Sequence, residues 1–313
     1  MLAPQSTYSD LKGFFPFEPT PDQDLLLRKL AVYLSIKRIL PEVMIVKGFA
    51  GTGKTTILRS VVALHRKHGK KIVLMAPTGR AAKVLSGATK RSAYTIHRSL
   101  YRPRVGSGGT ASFVLANNPH KNTTFVIDEA GLVATRNDST LGGNSLLDDL
   151  LEFVFTDPSN NLILVGDPAQ LPPVGQPQSP ALSADYFLGS GINATEQTLR
   201  NVTRQALDSH ILKNATLLRT LIEEDSSELP LLEAGPDLIR VEDGYQLQDI
   251  FEELYSGSSE GSTMVVRSNK KANSYNQGIR GRIKFQEDQI SAGDQFMVVK
   301  NNYFWLPEKS KMG

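Results

Sequence analysis

One stretch, Gly48-Phe49-Ala50-Gly51-Thr52-Gly53-Lys54-Thr55, constrains the fold of this chain more than any other. It fits G-x-x-x-x-G-K-[ST], a loop whose glycines let backbone N–H groups close around phosphate oxygens. Its flanks are the ones such a loop requires. Val43-Met44-Ile45-Val46 is a short apolar run of strand composition. From Lys54 to Lys67, the residues Ile57, Leu58, Val61, Val62 and Leu64 draw an apolar stripe at helical spacing. A strand, a glycine loop and a helix N-terminus together aim N–H groups and the positive end of a helix dipole at an anion. In this pattern Gly48, Ala50, Gly51, Thr52, Gly53, Lys54, Thr55 and Thr56 surround a nucleotide, with Lys54 on the β- and γ-phosphates and Thr55 on Mg²⁺. The competing reading is an ordinary glycine turn before a helix.

Charge is distributed unevenly. Residues 1–42 hold five basic and five acidic side chains, residues 43–127 hold 15 basic and none acidic, and residues 128–313 hold 15 basic and 27 acidic. An acid-free block of this length predicts a polyanionic partner, although some of its cations serve nucleotide phosphates or are simply solvated. The 313 residues suffice for two domains, and the absence of Cys excludes disulfides and thiolate metal sites. There is no long apolar run and no signal-peptide core at the N-terminus, so the expectation is a soluble, cytoplasmic protein.

Punctuation sets the expected elements. Residues 1–17, with Pro4, Gly13 and Pro16, read as an extended arm. Thr20-Pro21-Asp22-Gln23 starts a helix as a capping box with proline at the first position, and Pro41 stops it after about Leu40. Strands are expected at 71–76, 123–127, 162–165 and 264–266. Helices are expected from Pro77-Thr78-Gly79-Arg80 to Leu85, and over 92–100, 145–155, 210–224, 247–255 and 269–283. Gly106, Gly108, Gly109 and Asn117-Asn118-Pro119 flank Ser112 to Leu115, which reads as a hairpin inserted at 102–122. Strands alternating with helices give an α/β fold with a parallel sheet whose ligands bind at strand C-termini. The stretch 223–260 carries twelve acids against one base, a solvated or interacting face.

The chemistry gathers at strand ends. Phe125-Val126-Ile127 buries a strand that delivers Asp128 as a Mg²⁺ ligand and Glu129 to polarise an attacking water. Gly166-Asp167-Pro168-Ala169-Gln170 follows the next strand, and there Gln170 is the candidate γ-phosphate sensor. Arg204 is the candidate cation for transition-state charge.

In order along the chain, these motifs resemble those of superfamily 1 DNA helicases of the RecD-like and Dda-like 5′→3′ branch. The resemblance covers nearly the whole chain. It makes Gln23 an adenine reader as well as a cap. It makes Ala76-Pro77-Thr78-Gly79-Arg80-Ala81-Ala82 and Tyr94-Thr95-Ile96-His97 single-strand-contacting motifs. It also matches the long run Gly166 to Val174, Val202-Thr203-Arg204-Gln205 as the arginine-bearing motif, and Val265 to Asn273 as a DNA motif of a second domain. The DNA-contacting candidates are therefore Pro77, Thr78, Arg80, Thr95, His97, Arg267, Asn269 and Asn273. Thr95 read alone is also a helix cap, and His97 a packed histidine. Phe113 is either a strand-separating wedge or a residue packing its own hairpin.

The resemblance implies two RecA-like domains, 1–190 and a partial 191–313, clamping ATP and Mg²⁺ and stepping along single-stranded DNA. Two later motifs of the family are missing, so the chain is expected to be a fragment of reduced activity. An ATPase that does not unwind and a non-catalytic DNA-binding module are the alternatives.

Overall fold

The computed structural model describes residues 3–36, 39–105, 111–135, 144–201, 209–257 and 261–296. The chain divides into two compact units, Met1–Leu238 and Ile239–Gly313.

The first unit is built on six parallel strands: β1 (Glu42–Gly48), β2 (Lys71–Ala76), β3 (Ala93–Thr95), β6 (Thr123–Ile127), β7 (Asn161–Gly166) and β8 (Asn193–Leu199), in spatial order β3-β2-β6-β7-β1-β8. Period-two alternation sends neighbouring side chains to opposite faces. Met44 and Val46 of β1, Val126 of β6, and Ile163 and Val165 of β7 pack on one face; Val43, Ile45, Phe125, Ile127, Leu162 and Leu164 pack on the other. The first face is covered by α1 (Pro4–Gly13), α2 (Pro21–Ser35), α3 (Lys54–Lys67) and α4 (Gly79–Thr89). The second is covered by α5 (Ile96–Leu100), α6 (Leu146–Phe155) and α7 (Ala184–Gly189). This is the expected α/β arrangement of a RecA-like P-loop fold.

The expected hairpin is present. Strands β4 (Tyr101–Val105) and β5 (Ala111–Leu115) pair antiparallel, from Tyr101 opposite Leu115 to Val105 opposite Ala111. Helix α8 (His210–Glu223) also lies in the first unit.

Several expectations are corrected. Residues 4–13 form a helix and not an extended arm. Pro4 pre-sets the first turn, and the helix is held by docking: Leu11 is fully buried, the Thr7 and Ser35 hydroxyls bond at 2.8 Å, and Asp10 accepts from Lys67 and His68 at 2.6 Å. Helix α2 ends at Ser35, five residues early, where Ile36 turns extended toward β1. Residues 93–95, expected in a helix, add an edge strand to β2 before α5 begins. Strand β8 was not foreseen, because at a sheet edge Asn193-Ala194-Thr195-Glu196-Gln197-Thr198 stays half-exposed and never forms an apolar run. It carries the first sheet past the boundary expected after residue 190.

In the second unit α9 (Gly244–Tyr255) and α10 (Asn269–Gly278) form, and a π-turn over Ile279–Ile283 completes the expected 269–283 helix. Phe251 packs edge-on against Tyr255 and Tyr275. Residues 264–266 are not a strand. Val265 is 91% exposed, and among the described residues this unit offers no strand to pair with.

Candidate functional site

Strand register sets the site. Lys47 of β1 lies opposite Gly166 of β7 and Thr198 of β8, Ile127 of β6 lies opposite Leu164 and Met75, and Ala76 of β2 lies opposite Thr95. The C-terminal ends of all six strands therefore share one edge. The loop after β1, the Asp128-Glu129 pair, Asp167, Pro77-Thr78 and Thr95 all emerge there, where open α/β sheets bind ligands.

The phosphate loop is braced from behind. Gly51 and Gly53 take φ of +74° and +87°, conformations that a side chain resists. A Cβ on Gly53 would also sit 2.7 Å from Gln23 Nε2. Gln23 is 2% exposed. Its Oε1 accepts from the Thr20 N–H at 2.9 Å, and its Nε2 donates to the Thr52 carbonyl at 2.9 Å. The expected capping box between Thr20 and Gln23 is present, and the Thr20 hydroxyl also bonds the Asp22 carboxylate. The Thr52 hydroxyl donates to the Phe49 carbonyl at 2.8 Å. Thr56 is half-buried, while Ala50, Gly51 and Thr55 face solvent. The loop thus has a fixed back and an open mouth.

Lys54 folds over this loop. Its Nζ donates to the carbonyls of Gly48 at 2.6 Å and Phe49 at 3.1 Å, and lies 3.7 Å from Asp167 Oδ2. Asp167 is 8% exposed and also accepts from the Ala169 N–H at 2.9 Å. Asp167 stands at the tip of β7, three residues before Gln170, and was not among the expected site residues. Gln170 lies exposed in the turn that follows, its N–H 3.3 Å from the Asp167 carbonyl. An acid placed at the end of β7 as Asp128 is at the end of β6 was the available signal.

Burial pushes the Asp128 carboxyl up to about 6, and the neighbouring Glu129 charge adds to the rise while Lys54 opposes it. Glu129 is held at φ +55°, a strained backbone for a residue with a side chain. Its Oε2 is buried and has no hydrogen-bond partner among the described residues. An orphaned carboxylate oxygen next to a raised carboxyl, on the sheet edge that also carries Lys54 and the glycine loop, fits a cationic or water-bearing ligand. The donor set therefore suits a nucleotide phosphate with a divalent cation.

The nucleic-acid candidates of the first unit lie on the same edge. Thr78 caps α4, its hydroxyl accepting from the Ala81 N–H at 3.2 Å, and Thr95 caps α5 through the Arg98 N–H at 3.2 Å. Both hydroxyls thus have structural duties. Pro77 is half-buried, and Arg80 and His97 are exposed, with the His97 ring 5.8 Å from that of Tyr101. Among the described residues Arg80, Lys83, Lys90, Arg91 and Arg98 form no ion pair, whereas Lys47, Lys54 and Lys67 are each matched by an acid from outside the acid-free block. Phe113 is half-buried and packs against the core cluster of the second sheet face. Arg267, Asn269 and Asn273 are exposed in the second unit, around the start of α10, which Ser268 caps. Arg204 lies outside the described residues.

The family model described as an AAA domain matches residues 36–234, more than half of the 313-residue chain. The chain belongs to the AAA domain family. The match takes in the phosphate loop, Asp128-Glu129 and Asp167 together, so nucleotide binding is the property this AAA domain carries.

Two relatives bear out the RecD-like resemblance. The chain is similar to "ATP-dependent RecD2 DNA helicase" of Deinococcus radiodurans, at 35% identity over 131 residues, covering 42% of this chain and 16% of the relative. It is also similar to "RecBCD enzyme subunit RecD" of Mycolicibacterium smegmatis, at 33% identity over 171 residues, covering 47% of this chain and 28% of the relative. The chain therefore spans less than a third of either relative's length. The structure of the Pif1 helicase from Candida albicans aligns at 18% identity with a TM-score of 0.41, covering 82% of this chain and 60% of that one. Among the described residues no helix is long and apolar enough to cross a membrane.

Proposed function

We propose that this chain is the ATP-hydrolysing motor part of a DNA helicase, moving 5′→3′ on single-stranded DNA. The observation that carries the reading is the shared sheet edge. The loop of Gly48–Thr55, the carboxylates of Asp128, Glu129 and Asp167, and the unpaired cations beside Thr78 and Thr95 all occupy it. Chemistry that releases phosphate energy and a surface suited to a phosphate backbone thus sit on the ends of neighbouring strands. The name of the Deinococcus relative, an ATP-dependent RecD2 DNA helicase, supports the same reading, and polarity comes from the family resemblance alone.

In this reading the loop N–H groups and Lys54 hold the ATP phosphates, and the Thr55 hydroxyl and Asp128 hold Mg²⁺, which supplies charge neutralisation when bound. Glu129 takes a water proton through its unpartnered Oε2, Gln170 senses the terminal phosphate, and Arg204 stabilises developing charge. Gln23, already spent on bracing the loop, meets adenine only with the bonding capacity its amide has left. Arg267, Asn269 and Asn273 of the second unit supply a second DNA face in this reading. A soluble, cytoplasmic location accords with this role.

The test is ATP turnover by the 313-residue chain with and without single-stranded DNA, followed by strand displacement. Stimulation of at least tenfold that Lys54→Ala abolishes while DNA binding persists supports a DNA-driven motor. Equal turnover with and without DNA overturns it. Stimulated turnover without strand displacement favours the non-unwinding ATPase.

A further inference from the structure

Phe49, the first variable residue of the phosphate loop, is 7% exposed, and its ring carries a cation from another part of the fold. The Arg219 guanidinium of α8 lies 4.6 Å from the ring centroid. A second cation, Arg200 just past β8, lies 5.9 Å from the same centroid. Neither belongs to a motif singled out in the sequence.

The two arginines are not equivalent. Arg200 is neutralised by Glu223, with Nη1 to Oε1 at 2.8 Å. Its backbone N–H is also held, by Asp22 at 2.6 Å. Glu223 lies four residues after Arg219 on α8, which makes it the natural helical partner of Arg219. That carboxylate is instead turned to Arg200. Arg219 consequently has no ion pair among the described residues, and its Nε is buried without a hydrogen-bond partner. Arg219 as a whole is half-buried, but a buried Nε–H needs an acceptor, and an aromatic face compensates only part of that cost. The residue it covers is the one whose carbonyl Lys54 grips at 3.1 Å. Arg219 and the lysine that reaches the terminal phosphates thus converge on one loop residue from two elements.

We propose that Arg219 is a nucleotide-binding residue that pairs with the terminal phosphate of a nucleoside triphosphate, positioned for it by its stack on Phe49. The proposal rests on the reading of Gly48–Thr55 as an ATP site, and needs nothing of the DNA reading. A guanidinium is suited to a phosphate because it offers forked donors at fixed geometry. Diversion of Glu223 to Arg200 keeps that fork free for the ligand.

The experiment is equilibrium titration of the 313-residue chain with fluorescent ADP and a fluorescent non-hydrolysable ATP analogue, without DNA. Arg219→Ala is expected to weaken the triphosphate about tenfold and the diphosphate less than threefold, with Arg219→Lys recovering part of the difference. Phe49→Leu, which keeps the loop apolar but removes the stack, is expected to lie between Arg219→Ala and the parent. Equal weakening of both nucleotides, or no weakening of either, overturns the proposal, as does an Arg219→Ala chain that loses both in step with its thermal stability. If the parent chain binds neither nucleotide, the reading of the loop fails first and this proposal fails with it.

Discussion

Gln23→Ala tests the bracing of the phosphate loop most directly. The side chain is 2% exposed and satisfies two backbone groups 32 residues apart, the Thr20 N–H and the Thr52 carbonyl, each at 2.9 Å. Truncation leaves both without their partner, at about 1–3 kcal/mol for each buried group. Water entering the space left behind satisfies the more exposed Thr20 end, so the net loss is about 3 kcal/mol. For a unit of this size that lowers the melting temperature by about 6–12 °C. The Thr52 end also releases the loop, so affinity for the ATP analogue falls by at least about tenfold. Gln23→Glu separates the two duties, because its carboxylate still accepts from Thr20 but presents an acceptor to the Thr52 carbonyl. It should keep the helix start and lose nucleotide affinity nearly as far as alanine does. Differential scanning calorimetry with parallel nucleotide titrations reads both quantities. A Gln23→Ala chain that melts within about 2 °C of the parent and binds nucleotide within twofold would refute the bracing argument.

Three further predictions concern the same unit. Burial lowers the His65 pKa from 6.5 to about 4, so as pH falls from 6.5 toward 4 the unfolded chain takes a proton that the folded chain refuses. Asp128, raised to about 6 in the fold, works in the opposite sense over a similar window. The clean readout is therefore the difference in urea-unfolding free energy between His65→Gln and the parent, which should shift by about 3 kcal/mol in favour of the variant between pH 7 and 4; a pH-independent difference contradicts it. Leu11→Ala should cost about 2–5 kcal/mol by undocking α1, and proteolysis should then cut within residues 3–20 before any other site; protection of that segment would show that α1 docks through its polar contacts alone. At Gly166 an added Cβ would meet Leu182 Cδ1 at 2.9 Å and the Gly131 nitrogen at 3.0 Å, so Gly166→Ala should cost about 1–3 kcal/mol. It should also slow ATP turnover by displacing the turn that carries Glu129, and unchanged turnover would separate that turn from the chemistry.

Much of the fold was legible because the core strands announce themselves. β1, β6 and β7 are buried on both faces and read as unbroken apolar runs, and the loop after β1 has a fixed glycine pattern. What the sequence concealed was held by partners far along the chain. α1 is polar and short, and it is helical because Leu11, Thr7 and Asp10 find α2 and α3 to dock against. β8 borrows its order from β1 and keeps the composition of a loop. Within the site, the places of Lys54, Asp128 and Glu129 at strand C-termini followed from pattern. The Asp167 contact to Lys54 and the Arg219 stack on Phe49 could not, because each depends on a distance between elements that only the folded sheet brings together.

The position of β1 also bears on how this protein is made. The strand leading into the nucleotide loop, residues 42–48, is hydrogen-bonded only to β7 and β8, whose residues run from 161 to 199. A nascent chain must therefore extend past residue 166 before that strand has its first neighbour and past residue 199 before it has both, and at typical synthesis rates the wait from β1 to the end of β8 lasts about 8–30 s. Until then Val43-Met44-Ile45-Val46 is an apolar segment without a sheet. The nucleotide loop is consequently framed by its strands only late in the synthesis of the first unit, although the loop itself, Gly48–Thr55, precedes most of that unit in sequence.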